Sequence, residues 1–451
     1  MRRQQFGTFV GGIDLPDEKH ATINKDLEPL AIPAALRVPV DPCGLGDVTV
    51  LVRAGQGVRD GDRLAVAGGG ALPIFAPTGG VVAGVGRCRL AGRPSGTDLD
   101  TYAYDCPSID LTDLTPPEGT VVGEAPFPWE EASSEGVIEH LAAGGLTTAA
   151  SPGEPLGRWC ERHRRAGVDV LIVNGLENEP YLTCEHRLMA TRGEAIVTAA
   201  AVIARALGVE RTALAVDARR IDRYRRMGAA AEGRKIEPLA IEHKYPVGNP
   251  TMLTKVVTRR VPPPGRSPMD VGVAVLDVAA CAAVHRWVVT GRPPTWRAVT
   301  VSGVHVRRPG NRLVPMGLAA SDLLAACGAP VEGNFCHSGP MTGVALPDGA
   351  VVGPGTSAVL SLPAPDERSA TACIRCGWCT DHCPVRLDVA SLNDMYELGD
   401  LERARRYEVA ACVACGVCSY VCPARWPLTH RVRTLAALVR RDGPAGEDAR
   451  D

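Results

Sequence analysis

Eight of the sixteen cysteines in this chain fall into two runs of the same spacing. The first reads Cys373-Ile-Arg-Cys376-Gly-Trp-Cys379-Thr-Asp-His-Cys383-Pro384, and the second Cys412-Val-Ala-Cys415-Gly-Val-Cys418-Ser-Tyr-Val-Cys422-Pro423. Three thiolates, each two residues from the next, wrap a tight loop round three corners of an iron–sulfur cubane. The fourth, set off by three residues and turned by proline, reaches the neighbouring cubane. The pattern predicts one [4Fe–4S] cluster on Cys373, Cys376, Cys379 and Cys422, and a second on Cys412, Cys415, Cys418 and Cys383. Structural zinc takes paired ligands rather than two triplets each closed by Cys-Pro. Disulfides across two-residue gaps do not suit a chain whose opening Met1-Arg-Arg is followed by no apolar signal segment. The other eight cysteines are scattered and read as buried thiols. Cys336-His337, two adjacent ligands without partners nearby, reads as an ordinary loop.

The elements that must hold these ligands occupy only the last part of a chain of 451 residues, long enough for roughly two to four domains. Basic and acidic side chains nearly balance, 49 against 51, which leaves no electrostatic footprint for nucleic acid. Aromatic residues make up 4%, too few for a base-stacking platform. No apolar run reaches the roughly 18–20 residues of a membrane span, and the best, 271–284, is broken by Asp277. A soluble, cytosolic protein is expected, with any membrane association made through partners.

The fold class expected is multidomain α/β with small β modules. Short strands and turns over 28–90, among them Val48-Thr-Val-Leu-Val52 and Phe75-Ala-Pro-Thr-Gly-Gly-Val-Val82, predict a barrel-sandwich or hammerhead domain within 1–95. The pattern is similar to a biotinyl or lipoyl carrier, but no lysine lies between Lys25 and Lys235, so swinging-arm chemistry is excluded. Residues 91–130 read as a connector. An α/β domain follows over 131–292, with strands at 168–173, 212–216 and 271–276 and a helix at 194–207 whose Ile196, Ala200, Ile203 and Leu207 share a face. A β-grasp module is expected over 293–335, then a Gly/Pro-rich passage over 339–365. The helical two-cluster domain is placed at 366–441, with 430–441 a basic amphipathic helix lying over it as a lid.

Several motifs outside the cysteine runs resemble the C subunit of the Rnf ion-translocating electron-transport complex, over nearly the whole chain. They are Gly11-Gly-Ile-Asp-Leu-Pro16, Asn174-Gly-Leu-Glu-Asn-Glu-Pro-Tyr-Leu-Thr183 with His186-Arg-Leu-Met189, Lys244-Tyr-Pro246, Arg308-Pro-Gly-Asn311 and Gly339-Pro-Met341. Cobalamin reductases of microcompartments share the layout. The resemblance implies an α/β domain related to the FMN-binding subunit of respiratory complex I, and an SLBB-type β-grasp module. It implies FMN facing Asn174 and Glu177, NADH docking near Glu179, and ferredoxin or NADH as redox partner. It also implies a peripheral place on the cytoplasmic face of the inner membrane, among the other subunits of the complex.

Three stretches depart from the family's flavin pocket. Gly145-Leu-Thr-Thr-Ala-Ala-Ser-Pro-Gly153 stands where the family has a glycine-rich phosphate loop, Asp277-Val278 where it has Asn-Val, and Gly248-Asn-Pro-Thr251 where it has Gly-Gly-Glu-Lys. Three functions follow as expectations. The first is an electron relay in a membrane oxidoreductase, with FMN or as a conduit without it. The second is a soluble NADH-dependent cobalamin or flavin reductase, and the third a non-catalytic docking subunit.

Overall fold

The computed structural model describes residues 5–6, 8–92, 102–116, 125–149, 153–364 and 369–441. Its centre is a five-stranded parallel sheet in the order Gln5–Phe6, Ile236–Ile241, Arg211–Asp217, Val170–Gly175, Val273–Asp277. Val170–Gly175 is an almost continuous apolar run buried on both faces, as a central parallel strand requires. One face is covered by helices Ser134–Ala143, Leu156–Arg165, Gly193–Leu207 and Val278–Thr290. The other is covered by Pro250–Thr258, which inserts Met252, Leu253 and Val257. Ile196, Ala200, Ile203 and Leu207 all lie buried on Gly193–Leu207, and the helix ends at Gly208, whose φ of 71° suits a residue without Cβ. Register sets Asn174 beside Asp277 at the carboxyl ends of two neighbouring strands, where open α/β sheets receive ligands.

The amino-terminal module is two antiparallel sheets. One runs Leu36–Pro39, Ala103–Thr115, Gly79–Ala91, Gly57–Val58, and the other Thr49–Val50, Arg63–Ala67, Leu72–Phe75. The expected connector over 91–130 needs correction, because it contains the long strand Ala103–Thr115, paired with Gly79–Ala91 along its length. Pro107 and aspartates at 105, 110 and 113 dilute its alternation, and only its partner's register makes it a strand.

A mixed sheet comes next, in the order Val344–Ala345, Asn334–His337, Ala358–Leu362, Trp296–Gly303, Gly310–Pro315, Leu27–Pro29. The module expected to end at 335 therefore takes strands from the Gly/Pro-rich passage. Ala358–Leu362 lies parallel and next to Trp296–Gly303, and a run so short between glycines and prolines shows no periodicity of its own.

In the last domain Val389–Leu398 and Leu401–Arg406 are divided at Gly399, φ 66°, and Asp400 caps the second by accepting from Arg403 N. Leu428–Arg441 presses Leu428, Val432, Leu435 and Val439 onto Leu392, Met395 and Ala404. It is a lid, and Arg431 stacks over Trp426 at 4.2 Å on its polar side.

Candidate functional site

Each cysteine run winds in the same way. Arg375 and Ala414, one residue before the second thiol, have φ of 54° and 53°. Gly377 and Gly416, after that thiol, have φ of 79° and 85° and start the short helices Trp378–Asp381 and Val417–Tyr420. Arg386 and Arg425, beyond each Cys-Pro, repeat the left-handed turn at 64° and 59°. Left-handed residues at alternate positions turn backbone N–H groups inward, as an anion cage needs. Two of those amides already point at sulfur: Ala414 N to Cys412 Sγ and Leu387 N to Cys383 Sγ, each at 3.4 Å.

The two runs cross. Cys373, Cys376, Cys379 and Cys422 line one cavity together. Cys383 stands with the other triplet, close enough that its charge raises the thiols of Cys412, Cys415 and Cys418, after burial as the larger cause. Among the described residues, no group of three His, Cys, Asp or Glu side chains could hold a metal ion. A cubane carries its iron as a cage, with the four thiolates spread round its corners. The crossed sets and their inward amides fit that group. Their surroundings differ: Cys373 and Cys376 are exposed, whereas Cys383 and Cys415 are buried.

The buried set is docked on the rest of the chain through close backbone approaches. Gly12 N donates to His382 O at 2.8 Å, and a Cβ on Gly11 would collide with Cys383 O. A Cβ on Gly416 would lie 2.7 Å from Met341 O. Tyr245 donates its hydroxyl to Cys415 O at 2.6 Å. Cys415 itself forms part of the wall of a cleft of about 910 Å³ at the carboxyl ends of the central strands, within the size range of cofactor sites.

Asn174, Glu177 and Glu179 all line this cleft, and their polar atoms are engaged by the protein. Asn174 Nδ2 donates to Gly248 O at 2.9 Å while its Oδ1 accepts from Leu176 N. Glu177 caps the helix Cys184–Thr191, accepting from Glu185 N at 2.9 Å and His186 N at 2.8 Å. Glu179 accepts from Met341 N at 2.9 Å and Thr342 Oγ1 at 2.6 Å, and burial raises its pKa. Lys19, not singled out by the sequence, is buried behind the same loop. Its ammonium donates to Glu177 O and, at 2.7 Å, to Leu182 O, and burial lowers its pKa. Its signal was slight: one of five lysines, close after Gly11-Gly-Ile-Asp-Leu-Pro16. Cys336 and His337 lie not in a loop but in the strand Asn334–His337, made a strand by its partners Ala358–Leu362 and Val344–Ala345, and they are spent locally, His337 Nε2 lying 3.1 Å from Thr356 Oγ1.

The cleft is acidic, with Glu154, Glu177, Glu179, Glu185 and Asp277 facing Arg162 and Arg297. Arg162 is already paired with Glu154 at 2.6 Å. The lip that departs from a glycine loop closes on itself: Thr148 N donates to Glu154 O at 2.9 Å, and Glu154 N to Thr148 Oγ1 at 3.0 Å. Ser151 lies outside the described residues. Among the described residues these groups do not fit a flavin phosphate, which needs free donors and positive potential.

Comparison with known proteins covers each part. Residues 7–98 match the RnfC barrel sandwich hybrid domain, 146–286 the Nuo51 FMN-binding domain, and 366–423 the 4Fe-4S dicluster domain. The C subunit of the ion-translocating oxidoreductase complex of Rhodobacter capsulatus is 34% identical over 419 residues, 89% of this chain and 77% of that protein. The C subunit of the proton-translocating ferredoxin:NAD(+) oxidoreductase complex of Clostridium ljungdahlii is 29% identical, with 86% of each chain covered. The ion-translocating C subunit of Edwardsiella ictaluri is 29% identical over 91% of this chain and 51% of its own length. Among solved structures, an NAD+-reducing [NiFe]-hydrogenase aligns with 69% of this chain and 63% of its own at a TM-score of 0.45 and 18% identity, a loose likeness only.

Proposed function

Because the chain belongs to the family of the C subunit of ion-translocating oxidoreductase complexes, we propose that it is an electron-transfer subunit of such a complex, with Cys373, Cys376, Cys379 and Cys422 holding one [4Fe–4S] cluster and Cys412, Cys415, Cys418 and Cys383 the other. The observation that carries this reading is the crossing of the two runs, with Cys422 beside the first triplet and Cys383 beside the second. Clusters so held supply one-electron chemistry, and the protein sets potential and path. The chain's own groups then order the route. Cys415 belongs to the cleft wall and Cys373 and Cys376 to the surface, so the buried set is the inner station and the exposed set the outer one. Low solvent access and N–H···S bonds hold the inner ligands.

Around this core we read 1–95 as a hammerhead extended by Ala103–Thr115, and 131–292 as the complex I-like domain. The sheet around Trp296–Gly303 is read as a β-grasp module of SLBB type reaching beyond 335 to Leu362, and 366–441 as the cluster domain. No helix among the described residues is long and apolar enough to cross a membrane, so attachment to a membrane complex is assigned to partner subunits, with ferredoxin or NADH pools as the ultimate redox partners.

Anaerobically purified protein is expected to contain about eight irons and about eight sulfides per chain, with a thiolate-to-iron absorption that dithionite bleaches. Stoichiometric zinc without acid-labile sulfide would sink the assignment. A second expectation concerns the outer station. Ile374 and Trp378 are 67% and 52% exposed between its ligands, an apolar surface suited to a protein partner. Ile374→Ser with Trp378→Ala should leave iron content unchanged. Electron exchange with membranes carrying the other subunits should slow several-fold, as read by stopped-flow absorbance. An unchanged rate would place the exit on another face.

A further inference from the structure

The helix Val278–Thr290 begins on the floor of the cleft, and its first amides are spent on the chain's own carboxylates. Asp277 Oδ1 accepts from Ala280 N at 2.7 Å. Its Oδ2 reaches the opposite lip and accepts from Ala149 N at 3.2 Å. The Glu185 carboxyl lies close to the amide of Ala279, which pulls its pKa down against the larger effect of burial. An ordinary N-cap explains the bond to Ala280 but not the bond to Ala149, which belongs to a separate loop. Helix N-terminus plus facing loop amide is the arrangement that receives a phosphate in nucleotide-binding α/β proteins. In this chain a side-chain carboxylate stands at the point where those donors converge. An incoming phosphate meets that carboxylate, with Glu177 beside it and Arg162 already paired with Glu154.

We infer that Asp277 is a built-in substitute for a flavin phosphate, so that the cleft of this chain holds no FMN. Joined to the proposed cluster function, on which this second step rests, the consequence concerns the partner. Hydride transfer delivers two electrons and a proton to one organic acceptor, whereas cubanes exchange single electrons. With no flavin to accept a hydride, the immediate redox partners on both sides are one-electron carriers of the ferredoxin or protein-bound flavin class. Direct exchange with NADH belongs to another subunit.

The test uses the full chain, purified anaerobically with its clusters. Flavin released by heat should amount to less than about one-tenth per chain beside about eight irons. NADH should not bleach the cluster absorption that dithionite bleaches. Titrations with FMN and with riboflavin should show no preference for the phosphate-bearing form in the natural protein. Asp277→Asn and Asp277→Ser both keep a neutral N-cap, and each should raise the FMN-to-riboflavin affinity ratio at least tenfold. Near-stoichiometric FMN in the natural protein overturns the inference. So does an unchanged ratio in both variants at normal iron content and circular dichroism. If one variant fails to fold the other decides, and the flavin content of the natural protein decides independently. Rapid NADH bleaching of flavin-free protein would overturn the partner assignment alone. Absence of iron would defeat the cluster reading while leaving the flavin result intact, so the two failures are distinguishable.

Discussion

Cys422→Ser is expected to abolish the cluster of the opposite run, not that of its own. Cys422 shares a cavity with Cys373, Cys376 and Cys379, and serine is a harder, poorer ligand for iron than thiolate. Iron should fall from about eight to about four per chain. The residual spectrum should match that of Cys373→Ser. In the same way Cys383→Ser should match Cys412→Ser, because Cys383 stands with the second triplet. If Cys422→Ser matched Cys412→Ser instead, each run would hold its own cubane and the crossing would be wrong. The two classes should also differ in severity. Cys383 is 7% exposed and packs with Leu387, Leu392 and Met395, whereas Cys373 and Cys376 lie at the surface. Loss of the inner cluster should therefore loosen the contact that carries Gly12 N–H to His382 O. Loss of the outer one should leave that contact in place, as proteolysis of the carboxyl-terminal domain would report.

Glu185→Gln is expected to raise thermal stability at about pH 8 and to have little effect near about pH 5. Glu185 lies at the wall of the cleft, where burial, then the charges of Asp277 and Glu177, hold its pKa well above the ordinary carboxylate value. Arg297 and the Ala279 amide pull the other way and do not win. The folded pKa is thus above the unfolded one, and the folded chain binds more protons between the two. Stability from this group is complete below the unfolded pKa and is lost as pH rises through the folded pKa. Inside that window the loss reaches about 1.4 kcal/mol per pH unit. Glutamine is neutral throughout and nearly the same size, so the variant removes the slope while keeping the packing of the site. Glu179, also raised by burial, contributes the same sign in both proteins, and the difference between their melting curves isolates Glu185. Parallel curves from acid to alkaline pH would show that Glu185 ionises freely in the fold.

Much of the α/β domain was readable because its elements declare themselves locally. A helix such as Gly193–Leu207 shows its period over four turns and its stop at Gly208, and a buried parallel strand such as Val170–Gly175 shows an unbroken apolar run. Ala103–Thr115 and Ala358–Leu362 were not readable. Each becomes a strand through a partner distant in the chain, and neither carries enough pattern alone. At the candidate site the fold sets Asn174, Glu177 and Glu179 on one cleft wall, but their hydrogen-bonding roles were not legible in the sequence. Glu177 as a helix cap and Glu179 as the anchor of the Met341 loop depend on amides that only folding brings near.

Sequence alone determined the chemistry of the cysteine runs, because two-residue loops with glycine at the left-handed turn are dictated by covalent geometry within a dozen residues. It also marked Asp277 as a departure. Tertiary structure alone decided that this carboxylate spans from Ala280 N to Ala149 N, and that the buried cysteine set, not the exposed one, abuts the cleft through Cys415. The physical reason is common to both. Ligand spacing is a property of adjacent bonds, whereas the charge filling an anion position, and the path between two redox sites, depend on which distant segments the packed sheet ends bring face to face.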